Sequence, residues 1–159
     1  MENNIQNIVK NISSFSYVLS DNEIWSTYSK KLSYLLNELE IVNAVALDEQ
    51  ERNGSSSNWE KYQKEAIELT TEFLNELELF FNHIVDDIVN NEDKFHHLFN
   101  LLENDDYFKS KFSSYWNELD TLYFIFNDDR KMFLEKYKNE LFDLLLKIIH
   151  LYPYKFLSL

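Results

Sequence analysis

The residues best placed to do chemistry stand around Asn90-Asn91. His83 precedes Asp86 and Asp87 by three and four residues, and Asp93 precedes His96 and His97 by the same steps. At 3.6 residues per turn, such spacings put an imidazole and a carboxylate on one helical face. Ligands of these two kinds, projected from neighbouring helices, build di-metal sites inside bundles. His83, Asp87, Asp93 and His97 are therefore the metal-ligand candidates, and the reading they favour is a metal-dependent helical enzyme. The pattern departs from the Glu-x-x-His pairs of ferritin-type sites, since no Glu lies three residues before any His. Helix-terminal aspartates and surface histidines in an Asn-rich turn account for the same residues, so no metal, no cofactor and no enzyme activity is expected.

Other chemistries are excluded more sharply. One glycine in 159 residues cannot spell a dinucleotide-binding GxGxxG, a phosphate-cradling GxxxxGK[ST] or a nucleophile elbow GxSxG. The absence of cysteine removes disulfides, thiolate zinc sites and thiol nucleophiles. A net charge of −13 opposes direct contact with nucleic-acid phosphates and with anionic membrane surfaces. The N-terminal MENNIQNIVKNISSF lacks a basic region followed by an apolar core, and no stretch approaches the length of a membrane span. A soluble, cytoplasmic protein is expected.

The elements that position these residues must be helices, because a single Gly and a single Pro leave few tight turns. With 45% apolar residues, 16% of all residues aromatic, the chain has ample material for a core of large rings. Its length suits one all-helical domain over 1–159. Ile5, Ile8, Val9, Ile12, Phe15 and Leu19 predict a first helix over 4–19. Ser20 and Glu23 have capping-box spacing, and beyond them Trp25, Tyr28, Leu32, Leu35, Leu39, Val42 and Ala46 alternate at three and four residues. This seam predicts a second helix over about 21–52. Asn53 to Asn58 holds the only glycine and must turn the chain, with Ser57 and Glu60 as a second capping box.

The third helix, about 58–90, carries Trp59, Tyr62, Ala66, Leu69, Phe73, Leu77, Phe80, Ile84 and Ile88. Ile67, Leu74, Phe81 and Val85 widen its apolar face, which predicts burial against several neighbours. Shorter helices follow: one with Phe95, Leu98, Phe99 and Leu102 that ends near Asn104, one from Asp105-Asp106 through Phe126, and one from Asn127-Asp128-Asp129 to Pro153. The apolar tail, 154–159, is expected to dock. The fold class is all-α: a single-domain bundle of about five to six helices, built around a long antiparallel hairpin of 21–52 and 58–90.

The charge along this bundle is uneven. Residues 38–87 hold thirteen acids and three bases, −10 of the total, whereas residues from 128 onward hold five acids and six bases. With Phe73 at zero on a helical wheel, Glu65, Glu68, Glu72 and Glu76 fall between about −60° and −140°, with His83 and Asp86 continuing the line. Neither Glu72 nor Glu76 has a Lys or Arg at helical spacing. Glu38, Glu49 and Glu51 add acids on the preceding helix, and Tyr34, Ile41 and Leu79 are isolated apolar residues off the core seams. Apolar anchors ringed by one sign of charge suit a basic protein partner.

The expected function is an acidic inhibitor that blocks a nuclease or another nucleic-acid-binding protein, in the manner of immunity proteins, antitoxins and phage anti-defence inhibitors. Its partner-binding residues are Glu65, Glu68, Glu72, Glu76, Asp86 and Asp87, supported by Glu38, Glu49 and Glu51. The alternative is a self-associating helical scaffold or interaction module, such as a homodimer, in which the acids serve solubility.

Overall fold

A computed structural model describes residues 25–53, 58–156 and 159 of the chain. The helix expected at 4–19 and the capping signals at Ser20 and Ser57 lie outside the described residues. Every regular element among the described residues is helical, so the protein has the all-α bundle fold that its composition requires. No described helix is long and apolar enough to cross a membrane. The chain divides into two compact units, Met1–Phe80 and Phe81–Leu159.

In the first unit, α1 spans Trp25–Asn53 and α2 begins at Trp59, running on to Asn90. The three-four seam buries Leu32, Leu35, Leu39, Val42 and Ala46 on α1, and Ala66, Phe73 and Phe80 on α2. Each such Leu or Phe stabilises the fold by about 1.5 to 3 kcal/mol. Polar contacts set the direction of the pair. Lys31 of α1 reaches Glu76 and, at 3.4 Å, Glu72 of α2. Glu49, eighteen residues later on α1, accepts a hydrogen bond at 2.9 Å from Asn58, eighteen residues before Glu76. Partners that move by equal steps in opposite directions make α1 and α2 an antiparallel hairpin.

The expected wide burial of α2 holds in only part of the helix. Ile67, Leu74, Phe81 and Ile88 recur every seven residues and so share one line along it. Phe81 and Ile88, in the second unit, are buried, whereas Ile67 is 62% exposed and Leu74 54%. Phe81 is covered because the His150 ring meets it edge-on, with centroids 5.2 Å apart. Ile67 and Leu74 are exposed instead, which corrects their assignment to the core.

The second unit holds the end of α2, then α3 (Glu92–Glu103), α4 (Asp106–Lys111), α5 (Ser113–Asp128), α6 (Arg130–Lys136) and α7 (Lys138–Leu151). A 3-10 turn, Pro153–Lys155, follows where proline forbids more α-helix. Three of these helices start on an Asx side chain. Asn91 accepts from the Lys94 amide at 3.2 Å, Asp105 from Phe108 at 2.9 Å and Asp129 from Met132 at 3.0 Å, each satisfying an amide that has no partner within its helix. Lys138 Nζ donates to Asn90 Oδ1 at 2.6 Å, tying the start of α7 to the end of α2.

Aromatic rings join the helices of this unit. Phe95 of α3 meets Tyr123 and Phe126 of α5 edge-on at 5.5 and 5.1 Å, and Phe99 stacks on Tyr123 at 3.5 Å. Phe126 in turn meets Phe133 of α6 edge-on at 5.3 Å. In the tail, Phe156 is fully buried, as its apolar composition predicted.

Two expected helices are each interrupted, so the described residues contain seven α-helices where five to six were expected in the whole chain. The first break is at Phe112 (φ −120°, ψ 40°), whose ring joins Phe108 at 5.6 Å and Tyr152 at 6.0 Å. The second is at Tyr137 (φ −116°, ψ −3°), whose ring packs on Phe133 at 5.9 Å. At Phe112 a ring distant in sequence packs on the break, whereas the ring contact of Tyr137 is with its own preceding turn. Leu134, expected in the core of this last helix, is 38% exposed beside the second break.

Candidate functional site

The acid line of α2 is continuous in sequence but not in role. Glu65 and Glu68 are exposed, and Glu68 pairs with Lys64 on its own helix at 3.8 Å. Glu72, also exposed, shares Lys31 with Glu76. The Glu76 side chain is only 15% exposed, so its carboxylate belongs to the hairpin contact. The bond to Glu76 raises the Lys31 pKa above the ordinary lysine value, against the opposing effect of burial and with help from Glu72. Along α2 alone neither glutamate had a counterion. The partner comes from α1, 45 residues away in sequence.

Other expected binding residues are partly committed in the same way. Glu49 accepts from Asn58. Burial, followed by the hydrogen bond and charge of Glu49, raises the pKa of the Tyr62 hydroxyl. Glu38 is half-buried and Glu51 exposed. Asp86 and Asp87 belong to the second unit. Asp86 accepts from the Asn90 amide at 2.9 Å on its own helix, and Asp87 pairs with Lys94 at 2.5 Å across the α2–α3 turn.

The histidine and carboxylate candidates are not gathered. His83, Asp93 and His97 are exposed, and Asp87 is held by Lys94. Among the described residues no three His, Asp or Glu side chains come together as metal ligands. Asn91, extended at φ −118°, turns the chain between the two sets. His96 instead shares a hydrogen bond with the Tyr123 hydroxyl at 2.6 Å and lies 3.5 Å from Glu92, which also holds Arg130. This group ties α3 to α5 and α6.

The remaining candidate is the outward side of the α1–α2 hairpin. Lys31 and Glu49 mark the flank of α1 that faces α2. At 100° per residue, Tyr34, Ile41 and Val45 lie about 40 to 80° round from that flank, away from the core seam. They are 58%, 55% and 45% exposed. On α2, Glu65, Glu68 and Glu72 border the corresponding flank, and Leu79 is exposed as well. An exposed apolar line thus runs beside an exposed acid line within the first unit. Tyr34 and Ile41 were legible in the sequence as apolar residues off the seam. Val45 was missed, although it continues their three-four spacing.

No family model matches the chain, no curated protein matches it in sequence, and no solved structure matches its fold.

Proposed function

We propose that the protein is a stoichiometric inhibitor that docks the acidic outward side of its α1–α2 hairpin onto a basic protein and covers that partner's working surface. A nuclease or other nucleic-acid-binding protein fits best, because a surface built to hold phosphates is lined by Lys and Arg. The observation that carries the reading is the pairing of exposed acids with exposed apolar side chains, Glu65, Glu68 and Glu72 beside Tyr34, Ile41 and Val45. Acids alone would serve solubility. Large apolar groups left in water beside them are better explained as contacts awaiting a partner, with the charge steering encounter and selecting a basic surface.

Glu65 and Glu68 are the acids to test, since reversing Glu76 would also break its pair with Lys31. Protein immobilised in native-host lysate should retain a basic protein at low salt and release it at about 1 M salt, where the screening length is about 3 Å. A Glu65→Lys, Glu68→Lys variant should lose that protein, and the purified partner should lose its activity at one equivalent of wild type. Capture that is unchanged by charge reversal at either salt concentration, or a captured partner that stays fully active, overturns the proposal.

A further inference from the structure

The shape of the outward hairpin side indicates what part of a partner it receives. Tyr34, Ile41 and Val45 are spaced by seven and four residues, a helical period, and their line extends about 16 Å along α1. Such a line meets three turns of another helix through side chains at positions i, i+3 or i+4, and i+7. Beside it Glu65, Glu68 and Glu72 follow α2 at steps of three and four residues, so the acid line runs beside the apolar line in the first unit. Lys61 and Arg52 are exposed near the Val45 end and Lys30 and Lys31 near the Tyr34 end, so the negative charge of this side lies on the α2 line between them, where Lys64 stands beside Glu68.

We infer that the occupant is a basic amphipathic α-helix of the partner, with its apolar face on Tyr34, Ile41 and Val45 and its Lys or Arg residues against Glu65, Glu68 and Glu72. This rests on the reading of the hairpin as a docking surface for a basic protein and specifies how the docking is done. A second copy of this chain is disfavoured, because it would bring the same acids to the same groove and set like charges against one another. The apolar residues supply most of the affinity and the acids supply selection, as expected where a desolvated centre is rimmed by charge.

The test uses the full chain and a labelled synthetic peptide of about 18 residues, with leucines on one helical face and lysines on both flanks. A scrambled isomer of identical composition is the control, and fluorescence anisotropy is read at low and high salt. The amphipathic peptide should bind about tenfold more tightly than its isomer, and Ile41→Ser or Tyr34→Ser should weaken it about tenfold while circular dichroism stays unchanged. Hydrogen exchange should slow on residues 34–45 and 61–72 when the peptide binds. Equal binding of both isomers, or no effect of either variant, overturns the helical mode and leaves the acidic docking reading standing. Failure of both peptides to bind at low salt removes both. A dimer in sedimentation that Ile41→Ser abolishes would assign the groove to a second copy and overturn the inference.

Discussion

The hairpin of the first unit and the short helices of the second use acidic residues in opposite ways. In the second unit, Asp105 and Asp129 stand at helix starts and Asp87 beside a turn, and each is consumed by a local bond to an amide or an ammonium. In the hairpin, Glu65 and Glu68 stand mid-helix, where no backbone amide is available to them. Both residues are exposed, with Lys64 3.8 Å from Glu68. A mid-helix acid holds the fold only where another side chain reaches it, as Lys31 of α1 reaches Glu76, and the two helices of 29 and 32 residues provide many mid-helix positions.

The largest effects should be the same in both regions, because both bury large apolar side chains almost completely. Phe73→Ala in the hairpin and Phe95→Ala in the second unit should each cost about 3 to 5 kcal/mol, and Leu39→Ala about 2 to 5, read from denaturant midpoints. A much smaller cost at Phe73 would show that the hairpin lacks a core comparable with that of its neighbour.

At the next level the regions should separate. Asp105→Ala should cost about 1 to 2 kcal/mol through the lost cap, whereas Glu65→Ala should stay within about 0.5 kcal/mol. Asp105 also accepts from the Tyr152 hydroxyl at 2.9 Å and pairs with Lys155 at 3.2 Å. The Phe108 amide holds its carboxyl below the usual aspartate value, against burial, and Tyr152 and Lys155 act in the same direction as the amide. A depressed folded value means that this stabilisation is fully present above about pH 4 and is lost as pH falls through the folded value. Acid titration of wild type and Asp105→Ala should therefore converge at low pH. Parallel curves would remove Asp105 from its structural role.

Lys31→Met should have a smaller effect than Asp105→Ala, since an exposed pair is screened, and salt should remove most of the difference from wild type. Because the folded Lys31 pKa is raised, its contribution is fully present below about pH 10 and is lost as pH rises through the folded value. A Lys31→Met effect that persists in high salt would assign Lys31 a packing role. The smallest effect on stability belongs to Ile41→Ser and Leu79→Ser, expected within about 0.5 kcal/mol in thermal unfolding because both side chains are already in water. A larger loss would place either residue in the core.

Much of the architecture was readable from periodicity. The α1 seam from Leu32 to Ala46, the α3 face of Phe95, Leu98, Phe99 and Leu102, and the starts at Asp105 and Asp129 follow from spacing and cap chemistry that act over one or two turns. The break at Phe112 was not readable, since the Tyr152 ring that packs on it is distant in sequence, and no change of period marks the break at Tyr137. Of the candidate surface, the acids and two of its three apolar anchors were visible. The described structure does not bring the metal candidates together, because spacing within each helix says nothing of the turn between helices.

The sequence by itself determined that this protein is helical, that one stretch carries most of its negative charge, and that glycine- and cysteine-dependent sites are impossible. Those properties depend on residue identity and on contacts at most a few turns apart. Tertiary structure alone decided that Lys31 closes on Glu76 while Glu65, Glu68 and Glu72 stay exposed, and that Phe81 is covered while Ile67 and Leu74 are exposed. Burial and ion pairing depend on which helices meet, and the meeting of helices tens of residues apart is not encoded in the period of any one of them.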